Sequence, residues 1–469
     1  MAATWPHWRL RCWLAWAPLL GALAVGPARA WSDHALCTWQ ALEPLAEIAS
    51  LRVRAESLER FLAAQAPQLE RVLAEHEAWA REHLELYDPR PEALAFKAPP
   101  APAAGDGQGA VLPDLRPSFL KALRLNVTSP LPLFLQLRPG EPPGARQALP
   151  WDQVSTLASA VGPGTRFVAV AEGSELAVGD VIATASQEPD FGLDLGLYAD
   201  SGTAHGREYG FGDLPFGNPK LDYATQAPFH MGLYHEAGIV FAFGSFLRRS
   251  QPEARIALFT ALARHALASG HDYWGWRFAG WALHYVQDLT QPYHASILPG
   301  VGALRMVGVN VADMLGWERP KAEAVTLVSN RHAVVESYQQ QRMRRAHEEG
   351  RWDDPLLMAL RDTGQDSEHW RYLPASTRAL VSREAFDAAH ALDAQLERSF
   401  PQRFTGDPAV ALGNESDALD LVGIARGHSA IEQERLDQQV AALLKRLGLH
   451  TRAIVREVRG SPATPPAQR

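Results

Sequence analysis

The feature that most constrains this chain is the stretch Leu283-His284-Tyr285-Val286-Gln287-Asp288-Leu289-Thr290-Gln291-Pro292-Tyr293-His294. It follows an apolar run that holds Trp274, Trp276 and Trp281. A helix this apolar reads as buried, because it offers no continuous polar face to water. On such a helix His284 and Asp288 are four residues apart and leave the same face. Gln291-Pro292 stops or turns the helix, since the residue before a proline is pushed out of the α region. The turn can swing His294 back toward the pair. Two imidazoles and a carboxylate aimed together from an apolar helix suit a divalent, zinc-like ion. Taken alone, H-x3-D is better read as a His–Asp pair that only ties helices together.

A second pair changes that balance. His332 and Glu336 repeat the four-residue spacing further along the chain. Carboxylates can bridge metals, and two or three metals a few ångströms apart make a hydrolytic site for phosphate esters. The stretch HYVQDLTQPYHA resembles the central motif, H-x3-D-x5-H, of the bacterial zinc-dependent phospholipase C family and of its relatives, the single-strand-specific zinc nucleases. The following H-x3-E, at His332 and Glu336, resembles the phospholipase form; the nucleases typically place Asp last. The motif-bearing part, roughly 222–340, carries most of the resemblance.

Residues 1–30 read as a secretory signal. Arg9 and Arg11 precede an apolar run from Cys12 to Val25, and Ala28-Arg29-Ala30 forms an A-x-A cleavage site. The expectation is a secreted or periplasmic, soluble protein whose mature chain begins at Trp31. Cleavage would remove three arginines and no acid, taking the formal charge from −8 to about −11. So acidic a chain is a poor partner for nucleic acid through broad electrostatics, and no stable nucleic acid complex is expected. Cys37 would be left alone, so no internal disulfide can form.

The resemblance assigns further residues. In the family the mature chain begins with Trp, whose freed α-amine and carbonyl bind zinc; Trp31 takes that place, with His34 as a further ligand at a spacing shorter than usual. An Asp just ahead of an aromatic residue binds the same ion and is the candidate general base. Asp190-Phe191 fits best, with Asp194 and Asp222 as fallbacks. One His precedes the long helix before the central motif, and His230 is favoured over His235. The implied ligand sets for up to three zinc ions are Trp31, His34 and Asp190; His230, His284 and Asp288, with Asp288 bridging; and His294, His332 and Glu336.

The fold expected is mainly α: a multi-helix, phospholipase C-like domain over 31–459 with a loop-rich insertion at 88–186. Residues 33–87 read as two helices joined near Pro67, with Pro44 delaying or kinking the first. Phe167–Ala171 and Val178–Ile182, flanking Glu172-Gly173-Ser174, read as a small β-hairpin in the insertion. That insertion serves as a rim or lid over the site or as surface decoration. Helical periodicity returns at 388–400 and 431–455, and 460–469 is a Pro-rich tail expected to be disordered. There is no Gly-rich phosphate loop and no G-x-S-x-G nucleophile elbow. The function expected is a secreted zinc-dependent phosphodiester hydrolase, a phospholipase C acting on phospholipid at a membrane surface. The alternatives are a single-strand zinc nuclease and a secreted metal-binding protein without catalysis.

Overall fold

The computed structural model of this chain describes residues 31–100, 114–158, 164–217, 222–366 and 372–460. The expected signal at 1–30 lies outside the described residues, as does the expected tail beyond Gly460. The chain is 62% helical and 4% strand, which makes the fold mainly α as the periodicity implies.

Everything is arranged around the central helix, Asp272–Leu289, in which every residue from Tyr273 onward is buried. It packs against the helices Pro252–Ala268, Val178–Gln187 and Ala430–Gly460. Trp274, Trp281, Phe278 and Tyr285 lie within one continuous core with Phe61, Phe119 and Phe259. Burying each such side chain is worth about 1.5–3 kcal/mol. Two glycines set how closely the neighbours approach. A Cβ on Gly275 would lie 2.6 Å from the Leu267 side chain, and one on Gly280 would lie 2.4 Å from Ala185 Cβ and 2.7 Å from the Ile182 carbonyl oxygen. A second core gathers Trp31, the N-terminal helix His34–Leu42, the long helix Arg319–Glu348 and the part of Ala430–Gly460 from Leu436 to Leu447. The helix Val178–Gln187 has residues in both cores, Ala183 in the second and Ile182 and Ala185 in the first. The two cores therefore meet along it.

The N-terminal region departs from the expected two helices, since Arg52–Arg54, read as helix, form a strand. Pro44 neither delays nor kinks the first helix: that helix starts at His34 and ends at Leu42, and a short helix resumes at Ala46–Ala49. Leu58–His83 is one helix, however, with Pro67 inside it and no joint. Pro67 removes the hydrogen bond to the Ala63 carbonyl, but both residues are exposed, so water can take the bond's place.

The expected hairpin is not formed. β4 (Phe167–Ala169) sits between β2 (Phe134–Gln136) and β3 (Ala148–Leu149), antiparallel to both. β5 (Glu175–Ala177) instead pairs with β1 (Arg52–Arg54), Val53 opposite Leu176. Val178–Ile182 opens the helix Val178–Gln187. Val178, Val181, Ile182 and Ala185 are spaced for one helical face, and that face is buried. The β-branched content of a short window masked this spacing. The end of the 88–186 segment is therefore core rather than excursion.

Candidate metal centre

Three groups of buried side chains, each with ligand atoms within 4.8 Å of one another, stand where they could hold metal ions: His34, Asp190 and His284; His230, His284 and Asp288; and His294, His332 and Glu336. The second and third are the sets implied by the resemblance. The first differs: His284 joins His34 and Asp190. Asp288 links the first two groups. Its Oδ1 lies 3.3 Å from His34 Nε2, while its Oδ2 lies 2.8 Å from His230 Nδ1 and 3.3 Å from His284 Nε2. One carboxylate thus faces ligands of both groups, as a bridging group must.

Each residue is delivered by a local feature of the sequence. Asp33 adopts a left-handed conformation (φ 74°) and caps the N-terminal helix through Leu36 N at 3.1 Å, making His34 the first helical residue. Arg344 Nε holds Asp33 at 2.6 Å. His284 and Asp288 leave one face of the central helix, as the spacing requires. After the helix ends, Gln291 caps the short helix Pro292–Ala295 by accepting from Tyr293 N, with proline in its first turn. This turn carries His294 back to the site, where its Nδ1 meets the His230 carbonyl at 2.9 Å. His332 and Glu336 lie one turn apart on the long helix, 2.6 Å from Nε2 to Oε1. The Tyr293 ring stacks on His332 at 5.4 Å.

Asp190 lies in the 3₁₀ segment Glu188–Phe191, which continues the helix Val178–Gln187. Two contacts fix it. Glu188 is held by Arg277 at 3.0 Å and by the Trp281 indole at 2.8 Å, both from the central helix. Phe191 packs among Phe134, Trp151 and Phe167. The small sheet of the insertion is thus a wall behind Asp190. The carboxylate faces His284 Nε2 at 3.7 Å, His34 Nε2 at 3.9 Å and His230 Nδ1 at 3.9 Å.

The alternatives separate cleanly. His235 bonds the Arg378 carbonyl at 3.0 Å and belongs to none of the groups. Asp194 stands behind His230, 3.6 Å from its Nε2, and is itself held by Arg255 and Tyr285, both at 2.6 Å. It belongs to none of the three groups and makes no hydrogen bond to His230. The side chain of Asp222 lies outside the described residues. Trp31 is fully buried, and its indole donates to Thr290 at the end of the central helix, 2.8 Å away. The cleavage that would free its α-amine falls at residues outside the described ones.

A second layer orients the imidazoles, and sequence reasoning missed it. His34 Nδ1 is held by Gln287 Oε1 at 2.8 Å, His284 Nδ1 by the Ser186 carbonyl at 2.8 Å, and Asp190 Oδ2 by Gln187 Nε2 at 2.7 Å. Gln291 Nε2 donates to Glu336 Oε1 at 3.0 Å. With Nδ1 engaged, Nε2 of His34 and His294 is the nitrogen left to face a ligand, the usual arrangement around metal-binding histidines, while Nε2 of His284 meets His230 Nδ1 at 3.0 Å inside its group. The available signal was the presence of glutamines in stretches otherwise apolar enough to be buried, where a polar group needs a partner.

Charge and desolvation are in conflict here. Burial opposes the charged form of His230, yet the carboxylates of Asp288, Asp190 and Asp194 outweigh it and raise the imidazole to about 9. His34 is raised in the same way, burial being overcome by Asp288 and Asp190. Burial dominates at His294, which falls to about 4. Asp288 is buried as well, but the His284 and His230 charges hold it well below the usual carboxylate range. The site therefore draws cations. His34 Nε2, Asp288 Oδ1 and His294 Nε2 are buried without a hydrogen bond, a costly state that ligation would relieve. A donor set of imidazole and carboxylate, with no thiolate, fits a divalent transition metal.

No protein-family model, no curated protein and no solved structure matches this chain. Among the described residues no helix is long and apolar enough to cross a membrane.

Proposed function

We propose that this protein is an exported zinc-dependent phosphodiester hydrolase of the phospholipase C kind. It would cleave phospholipid at a membrane surface on the glycerol side of the phosphate, giving diacylglycerol and a phosphorylated head group. The observation that carries the reading is the Asp288 carboxylate, whose two oxygens face different ligand groups, with the third group brought alongside by the His230 carbonyl to His294 contact. Several cations held this close suit a phosphodiester, a monoanion whose phosphoryl oxygens gain further charge in the transition state, better than a neutral substrate. The Glu336 form of the second motif and the acidic charge favour a phospholipid over a nucleic acid.

When bound, zinc would offset charge on the phosphoryl oxygens and make a water acidic enough to ionise near neutral pH. The chain's own residues do the rest. The three ligand groups fix where the phosphate sits, and Nδ1 contacts of His34, His284 and His294 keep the imidazoles from turning. Asp190, with His34, His284 and His230 around it, takes the proton from the attacking water. Gln187 steers that carboxylate through its Oδ2.

The test is metal analysis of the purified protein together with parallel assays on phosphatidylcholine vesicles and single-stranded DNA. Bound zinc and faster cleavage of phosphatidylcholine are expected. Faster DNA hydrolysis would make the protein a nuclease, and metal without turnover on either substrate would leave a binding protein.

A further inference from the structure

The helix Ala303–Met314 is amphipathic in the wrong sense for a surface helix of a water-soluble fold. Its Met306 points inward to a small core with Val240 and Phe241. The opposite stripe, Leu304, Gly308, Val311 and, just past the helix end, Leu315, follows the spacing of a single helical face. That stripe is in water: Leu304 is 82% exposed, Leu315 69% and the adjoining Trp317 68%. Single exposed apolar residues need no explanation, but a continuous stripe ending in an exposed tryptophan marks an interaction surface.

The charges around it indicate what it meets. Arg248 and Arg305 are exposed beside it, whereas Lys321 is paired with Asp313, Arg319 with Glu323 and Arg249 with Asp88. The whole chain carries a formal −8. An apolar stripe with tryptophan at its edge and cations beside it is the composition of a helix lying in a bilayer interface.

The position is also informative. The helix begins nine residues after His294, packs against the long helix Arg319–Glu348, and so lies between two ligand-bearing elements. Along the long helix, His332 is about 20 Å from Arg319.

We infer that the Leu304–Trp317 face docks the protein on bilayers containing anionic phospholipid. The inference deepens the phospholipase reading and rests on it only for the reason docking is useful; adsorption itself needs no turnover. The experiment is co-sedimentation of the full chain with vesicles of phosphatidylcholine alone and of phosphatidylcholine with phosphatidylglycerol, beside hydrolysis of a water-soluble phosphodiester. The triple variant Leu304→Asp, Leu315→Asp, Trp317→Asp changes only well-exposed side chains and should keep its thermal midpoint. Expected are binding of the unaltered protein that strengthens with phosphatidylglycerol and weakens with salt, at least tenfold weaker binding of the variant, and unchanged hydrolysis of the soluble substrate. Equal binding by both proteins, or no binding by the unaltered one, overturns the inference. So does a dimer in sedimentation equilibrium that the variant abolishes while vesicle binding is absent. Vesicle binding without any phosphodiester cleavage would instead remove the catalytic reading and leave this one standing.

Discussion

At the scale of single residues, the i,i+4 pairs were legible because covalent geometry alone puts His284 with Asp288 and His332 with Glu336; no knowledge of the rest of the fold is needed. Asp190, Asp194 and Asp222 could not be separated that way, since which loop carboxylate reaches a helix face depends on packing. The membership of His284 in two groups was hidden for the same reason. Asp288 is the most informative residue to change. Asp288→Asn keeps the shape and removes the shared charge, so metal content should fall and turnover drop by more than about a hundredfold, given that even a residue that only orients a ligand is worth about 10–100-fold. Mass-spectrometric metal counts and a rate measurement check this, with helical circular dichroism expected to hold. Protonation supplies a second prediction, for the metal-stripped protein. His230 is raised from 6.5 to about 9, so it contributes stability that is fully present below pH 6.5 and lost as pH rises through about 9. His294 is lowered to about 4, so it contributes stability present above pH 6.5 and lost as pH falls toward 4. Stability from these two should therefore peak near pH 6.5, read as the denaturant midpoint across pH. With zinc returned, the alkaline loss should vanish, because the ion takes the proton's place on His230. An alkaline fall that persists with zinc bound would mean that His230 is not a ligand.

At the scale of elements, the buried central helix and the late helices were plain from their periodicity, and the structure has them at Asp272–Leu289, Arg383–Ser399 and Ala430–Gly460. What failed were choices that depend on neighbours. Pro67 ends no helix, because its lost bond faces water. Val178–Ile182 is helical because the central helix offers an apolar groove at Gly280. That groove gives a prediction with a diagnostic sign. In a helix interior Gly→Ala normally stabilises by about 1 kcal/mol. At Gly280 the new methyl meets Ala185 Cβ and the Ile182 carbonyl, backbone and stub that cannot swing away. Gly280→Ala should therefore destabilise, by about 1–3 kcal/mol, and should loosen metal binding as Ser186 is pushed off His284. Gly427, exposed on Leu421–His428 with nothing near its Cβ position, is the matched control and should be neutral or slightly stabilising. Denaturant midpoints of the two variants decide the point; equal shifts would mean that the helices do not pack this closely.

At the scale of the whole molecule, ions bound at the three groups would act as cross-links, as disulfides do in other proteins. The free cysteine among the described residues, Cys37, is buried. The groups join segments from His34 to Glu336, across the seam where the two cores meet. Without cations, Asp190, Asp194 and Asp288 are buried together around His230, and the ion pair with Arg255 serves only Asp194. Such a site repels itself unless protons or metal enter it. Any ion that binds only the folded chain stabilises it through mass action, by about 4 kcal/mol at a thousand times its dissociation constant. Chelation at pH 8 should therefore lower the thermal midpoint by several degrees, more than it does at pH 6.5, where protons on His34 and His230 partly replace the metal. Zinc should restore the midpoint and magnesium should not, since magnesium prefers an all-oxygen octahedral shell and these groups are rich in imidazole. Calorimetry with and without chelator at the two pH values measures this directly. A midpoint indifferent to chelator at both would mean that no ion ties the two cores together, and the buried carboxylates would then have to be held by protons alone.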